Sequence, residues 1–109
     1  MIKTVRNGMV GVLVSRGFGA GWSTWNREVP ELLFDSYIVT VLADAGNEPT
    51  DQQMDSIKAY CAIKYPDIYA GGLEGLSVEW VPEGARFRID EYDGSESLVL
   101  ESNEEWMVA

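Results

Sequence analysis

The chain has 109 residues, of which 46% are hydrophobic and 11% aromatic, so it can bury a core and is unlike a disordered segment. It contains no histidine and one cysteine, which excludes Ser–His and Cys–His nucleophile pairs and argues against a zinc site. The formal net charge is -10, and a surface of that sign repels nucleic acid as a whole.

The length predicts a single domain over residues 1–109. No apolar run reaches the roughly 18 residues of a membrane helix, and the first residues lack the apolar region of a signal peptide. The lone Cys61 cannot form an internal disulfide. These features predict a cytoplasmic protein that does not enter a membrane and needs no cofactor or metal.

The charge is unevenly distributed along the chain. Residues 1–27 contain four basic residues and no acidic one, whereas all 18 acidic residues lie in residues 28–109. The basic segment suits a small anion, or it packs against the acidic remainder of the chain.

A β-hairpin is predicted at the N-terminus. The Asn-Gly pair at residues 7–8 is typical of a two-residue type I′ turn, which pairs Val5 with Val10. The second strand, residues 9–15, is nearly all apolar and is expected to be covered on both faces. Gly11 within it indicates a bulge or the close approach of another element.

The segment of residues 16–27 is the candidate site. Three glycines alternate along it, two tryptophans follow three residues apart, and an arginine lies at each end. The spacing matches neither the dinucleotide fingerprint nor the P-loop. Glycine amides can bind an anion, indoles can stack on a base, and arginines can pair with a phosphate. The candidate ligand-binding residues are Arg16, Gly17, Gly19, Gly21, Trp22, Trp25 and Arg27. Alternatively, the tryptophans are buried anchors of the core.

Two helices are predicted after this segment. The first covers about residues 35–45 with Asp35 as its N-cap, although its β-branched residues favour a strand. The second covers about residues 51–65, and Thr50 with Gln53 forms a capping box at its start. Cys61 lies on the apolar face of the second helix and is expected to be a small core residue.

The last third predicts a three-stranded antiparallel meander. A loop at residues 82–85 places Trp80 opposite Phe87, and an Asp-Gly turn at residues 93–94 places Ile89 opposite Leu98. The register gives one apolar face, formed by Leu76, Val78, Trp80, Phe87, Ile89, Leu98 and Leu100.

The tip of the last hairpin is acidic. The register places Glu91 opposite Glu96, and with Asp93 nearby these residues are expected to form a solvated acidic surface. Cation binding is the alternative, although the spacing matches no calcium loop. Trp106 near the end either docks on the body or contributes to a homo-oligomer.

These elements predict an α+β fold. The N-terminal hairpin and the C-terminal meander form one small antiparallel sheet or two, and the two helices pack on one face.

Several stretches resemble small proteins encoded in bacteriophage and prophage genomes. The resemblance lies in residues 17–26 (GFGAGWSTWN), in the Pro-x-Leu-Leu-Phe-Asp motif that follows, and in the Tyr-Pro-Asp-Ile-Tyr-x-Gly-Gly-Leu motif of residues 65–73. It implies a phage accessory protein that acts in the cytoplasm of a bacterial host. It implies no activity and no functional residue.

Two functions remain open. The first is non-enzymatic binding of a small anionic or nucleotide-like ligand through residues 16–27. The second is an acidic interaction module that presents Glu91, Asp93 and Glu96 to a basic surface of a host protein and inhibits it. An enzyme is the least favoured alternative, because no histidine, metal motif or nucleophile elbow is present.

Overall fold

The computed structural model describes residues 2–101, which form three layers. A three-stranded sheet lies in the middle, two helices cover one of its faces, and a two-stranded hairpin covers the other. The elements are β1 (Val5–Arg6), β2 (Met9–Ser15), α1 (Ser36–Asp44), α2 (Asp51–Lys64), β3 (Leu76–Pro82), β4 (Phe87–Tyr92) and β5 (Ser95–Leu100). The α+β class is confirmed, and these strands form two antiparallel sheets.

The middle sheet has the order β1-β2-β3, with β2 at its centre. The N-terminal hairpin has the predicted register, since Val5 pairs with Val10 across the turn. β2 is covered on both faces, as predicted. Leu13 packs toward the helices, whereas Val12 and Val14 pack toward β4 and β5. Because side chains alternate along a strand, this one apolar run contributes residues to two hydrophobic cores, one on each face of the middle sheet.

The prediction of a three-stranded meander is wrong. β3 pairs with β2, so that Val81 lies opposite Val10 and Val78 opposite Leu13, and it does not pair with β4. The turn at residues 82–85 carries the chain to the other face of the sheet. The reason is that both faces of β2 are apolar, and a hairpin that continued the sheet would leave one face in water.

The predicted apolar face of the last third is consequently divided between two cores. Leu76, Val78 and Trp80 pack with the helices, whereas Phe87, Ile89, Leu98 and Leu100 pack against the valines of β2. The second hairpin, β4–β5, keeps its predicted register, with Ile89 opposite Leu98 and Glu91 opposite Glu96.

Both predicted helices are present. Asp35 caps α1 by accepting a hydrogen bond from the N–H of Ile38 at 3.0 Å, and Asn47, with a φ of 62°, lies just past its end. The Thr50–Gln53 capping box is present at the start of α2, which ends one residue before Tyr65. The alternative of a strand at residues 35–45 is therefore wrong, because the helical spacing of apolar residues outweighs their β-branching.

Gly11 marks a close approach, one of its two predicted interpretations. A Cβ on Gly11 would lie 2.6 Å from Cγ1 of Val39 in α1. The outer edge of β3 is blocked by another contact with the helical layer, because the side chain of Asn47 donates to the Val78 carbonyl and accepts from its N–H. Both contacts hold the helices close to the sheet.

Neither α1 nor α2 is long and apolar enough to cross a membrane, and they are the longest helices within residues 2–101. Trp106, with its predicted role in docking or in a homo-oligomer, lies outside the described residues.

Candidate functional site

Trp22 of the candidate segment is a core residue. Its side chain is 0% exposed and packs between the sheet and the helices. The indole Nε1–H donates to the Leu32 carbonyl at 2.9 Å, so its one polar group is satisfied inside the protein. A ligand from solution cannot stack on this ring without opening the core.

The amides of the candidate segment bind a carboxylate, and that carboxylate belongs to the chain itself. Glu96 from β5 is only 2% exposed. It accepts hydrogen bonds from the backbone N–H groups of Ser15, Trp22 and Thr24 at 2.9, 2.8 and 3.1 Å. The hydroxyl of Thr24 adds a fourth donor at 2.5 Å. Glu96 was expected in solvent, and that prediction is wrong because four converging donors replace its hydration.

Glycines make this convergence sterically feasible. A Cβ on Gly94, at the tip of the β4–β5 hairpin, would overlap the backbone of Ala20. A Cβ on Gly72 would lie 2.5 Å from the carbonyl oxygen of Gly21. Two later parts of the chain, the hairpin tip at Gly94 and the loop at Gly72, therefore lie directly against the backbone of residues 16–27, which we call the glycine segment.

In the first half of the candidate segment, Arg16 and Gly19 have partners within the protein. The guanidinium of Arg16 forms an ion pair with Glu79 of β3. The Gly19 N–H donates to the Asp93 carbonyl at 2.6 Å, and Gly19 has a φ of 96° that favours glycine. Gly17 lies in an exposed turn, where an added Cβ would meet no described atom within 4 Å. These contacts hold the turn against the hairpin tip.

Trp25 lies at the surface, unlike Trp22. Its ring is 5.3 Å from that of Tyr69, and the two residues are 38% and 52% exposed. Between them, the buried side chain of Asn26 donates to the carbonyls of Trp22 and Tyr69 and accepts from the Tyr69 N–H. Asn26 thus joins the candidate segment to the loop of residues 65–73.

Arg27, the last candidate residue, opens onto a cleft of about 320 Å³ between the candidate segment and β4. The lining residues are Ser23, Thr24, Arg27, Pro30, Leu33, Arg88 and Ile89. Within residues 2–101 the Arg27 guanidinium has no carboxylate partner, whereas Arg88 pairs with Asp90 at 2.8 Å. We call this space the Arg27–Arg88 cleft. Its lining contains two arginines, two hydroxyl residues and three apolar residues.

A second polar cluster surrounds the buried carboxylate of Asp35. The hydroxyls of Tyr60 and Tyr65 donate to Asp35 Oδ2 at 2.8 and 2.5 Å, and Lys64 Nζ lies 3.5 Å from the same atom. Burial, followed by the hydrogen bond to Asp35, raises the pKa of Tyr65 well above its ordinary value. Burial also raises the pKa of Tyr60. Protonated phenols that donate to a carboxylate serve structure and supply no base near neutral pH.

Cys61 of α2 is buried in the core between the helices and the sheet. Burial, and to a smaller degree the Asp35 carboxylate, raises the pKa of its thiol to about 11. The thiol is therefore protonated at neutral pH, as expected of a core cysteine.

The acidic tip of the second hairpin retains only part of its predicted surface. Glu91 and Asp93 are exposed, whereas Glu96 is buried and inaccessible to a partner. Among residues 2–101, no group of three or more cysteine, aspartate or glutamate side chains is arranged to hold a metal ion.

Sequence reasoning did not identify Glu96, Asn26 or Arg88 as part of the site. The first two are buried polar residues whose partners lie far along the chain, and Arg88 reaches the cleft from β4. One feature of the sequence indicates the burial of Glu96. An acidic residue on the apolar side of a hairpin needs hydrogen-bond donors from another part of the chain.

Comparisons with protein-family models, with curated proteins and with solved structures gave no match.

Proposed function

We propose that this chain is a non-enzymatic binding protein and that its ligand is a small anion held in the Arg27–Arg88 cleft. The observation that carries the proposal is the Arg27 guanidinium, which has no carboxylate partner among the described residues and lines one cleft with Arg88. It does so in a protein of net charge -10, where carboxylates are plentiful. A guanidinium matches the planar fork of a carboxylate or the oxygens of a phosphate.

A hydroxyl of the cleft supports the same ligand class. Ser23 and Thr24 are half-buried and line the cleft beside Arg27. The Thr24 hydroxyl is used by Glu96, whereas the Ser23 hydroxyl can donate to an anionic oxygen. Donors from two chain segments, residues 23–27 and β4, therefore converge on one space.

The floor of the cleft suits a ligand with an apolar part. Pro30, Leu33 and Ile89 line it, and none of the described lining residues is aromatic. The fully buried Trp22 cannot stack on a base, and Trp25 packs on Tyr69 outside the cleft. The proposal therefore favours a phosphate or carboxylate with an aliphatic body over a nucleotide.

The setting of this function rests on the resemblance to phage-encoded proteins. We propose an accessory protein that acts in the cytoplasm of a bacterial host and sequesters a small anion or an anionic group of a host molecule. Ser23, Thr24 and Arg27 supply one wall of the cleft, whereas the N–H groups of Trp22 and Thr24 are occupied by Glu96.

Calorimetric titration with inorganic phosphate, glutarate and adenosine monophosphate tests the proposal. We expect binding to the wild type that weakens with added salt. Arg27→Gln should weaken it about tenfold or more, because a charge-assisted hydrogen bond contributes about 1.5–3 kcal/mol. Arg27 is exposed and unpaired among the described residues, so the variant should fold normally.

Arg86→Gln is the matched control. It removes one positive charge from an exposed position that pairs with Glu101 outside the cleft, so it tests for a general charge effect. Equal affinity in wild type and Arg27→Gln, or no binding of any of the three anions, would show that the proposal is wrong.

A further inference from the structure

The Arg27–Arg88 cleft lies along the edge of a strand. Arg88 and Ile89 are neighbours in β4, and successive side chains of a strand point to opposite faces of its sheet. Both residues nevertheless line the same cleft. From this lining we expect the cleft to run past the outer edge of β4, with residues 23–33 as its opposite wall.

That edge carries unpaired backbone groups. The Glu101 N–H donates to the Arg86 carbonyl at 3.0 Å, so the backbone groups of Arg86 point toward β5. Antiparallel pairing alternates this direction, which turns the groups of Phe87, Ile89 and Glu91 away from β5. Within residues 2–101, no backbone hydrogen bond from another segment reaches these three positions.

The outer edge of β3, in contrast, is covered by a side chain. The Asn47 side chain there occupies both backbone groups of Val78. In the described part of the chain, β4 has no such cover, and its sheet contains only one other strand. An edge of this kind is a template for an added strand.

We propose that the ligand of the cleft is an extended peptide that pairs with the outer edge of β4 and places one acidic side chain between Arg27 and Arg88. This inference rests on the proposed anion site and names its ligand class. Charge complementarity selects the occupant, because the edge presents two guanidinium groups at the cleft and carboxylates beyond it.

The charges of β4 also disfavour some peptide sequences. Asp90 and Glu91 follow Ile89 along the strand and are exposed. A peptide with acidic groups along its whole length would meet these carboxylates, and a second copy of β4 would bring like charges together. A peptide with one acidic residue flanked by uncharged residues therefore best complements the charges of this edge.

A capped pentapeptide of sequence Thr-Val-Glu-Val-Thr tests the inference, with the same peptide carrying glutamine at the centre as its control. Titration calorimetry gives the affinities, and amide chemical shifts report on Ile89. We expect the glutamate peptide to bind about tenfold more tightly than the glutamine peptide and than free glutarate. Arg27→Gln should remove the difference between the two peptides.

The amide contribution is tested with a peptide methylated at alternate backbone nitrogens. Methylation of the edge-facing nitrogens should weaken binding about tenfold, whereas methylation of the opposite set should not. Glutarate binding as tightly as the peptide, with the Ile89 amide unmoved, would overturn the strand inference and leave the anion site standing. No binding of glutarate or peptide would overturn both.

Discussion

A single buried carboxylate organises the glycine segment at the residue scale. Glu96 accepts four hydrogen bonds from residues 15–24 and has no cationic partner among the described residues. Two of these donors, the N–H groups of Trp22 and Thr24, belong to the irregular backbone after β2, where the carboxylate takes the place of a regular ladder. Among the described residues, the dipoles of N–H and O–H groups surround the Glu96 carboxylate, and no counter-charge contacts it.

Replacement of this carboxylate should destabilise the fold. In Glu96→Gln, the amide NH₂ would face at least one backbone N–H and leave it unpaired, so we expect a loss of about 3 kcal/mol in the free energy of unfolding. Denaturant unfolding of Glu83→Gln, an exposed site in the turn of residues 82–85, should differ from the wild type by no more than about 0.5 kcal/mol. Equal stability of the two variants would show that the donors relax toward water.

At the scale of elements, β2 determines the architecture. Its side chains serve two cores, and its backbone pairs with β1 on one side and β3 on the other. Gly11 lets α1 pack directly on the strand, since Val39 occupies the space of a Cβ. The sheet therefore accepts the helix layer at a distance that a larger residue in β2 would prevent.

Gly11→Ala should test this packing. The added methyl group would lie 2.6 Å from Val39 Cγ1 and 3.2 Å from the Trp80 ring, and we expect the overlap to cost about 1–3 kcal/mol. Gly17→Ala is the matched control, because Gly17 has open space around it among the described residues. Its stability should equal or slightly exceed that of the wild type in thermal unfolding. Similar losses in both variants would contradict a packing effect.

At the scale of the whole molecule, two side-chain networks join elements that lie far apart in sequence. Glu96 connects the β4–β5 hairpin to the glycine segment, and Asp35 connects α1 to α2 through Tyr60 and Tyr65. The second network requires protonated phenols, since an ionised phenol beside the Asp35 carboxylate would lose its hydrogen bond and add a like charge. Its contribution to stability therefore depends on pH.

Stability should fall at alkaline pH. The pKa of Tyr65 is higher in the folded protein than in the unfolded chain, so its contribution is complete below about pH 10 and declines as the pH rises further. Tyr65→Phe should be less stable than the wild type at pH 8 by about 1 kcal/mol and should lose less between about pH 8 and 10.5. Urea unfolding at both pH values measures this, and equal losses in the two proteins would contradict it.

Features that depend on neighbouring residues were predictable from the sequence. The turns at residues 7–8 and 93–94, the Asp35 cap and the Thr50–Gln53 capping box all involve partners within a few residues. The turn chemistry also determined the register of each hairpin, because a two-residue loop permits only one pairing.

The arrangement of those pieces was decided by the tertiary structure. The pairing of β3 with β2, the burial of Glu96 and the cleft between Arg27 and Arg88 join groups that lie far apart in sequence. The sequence by itself determined two hairpins, two helices and a basic glycine segment, because local geometry dictates them. Only the tertiary structure decided which face each piece covers, because that choice depends on burying both faces of β2 and supplying every buried polar group with a partner.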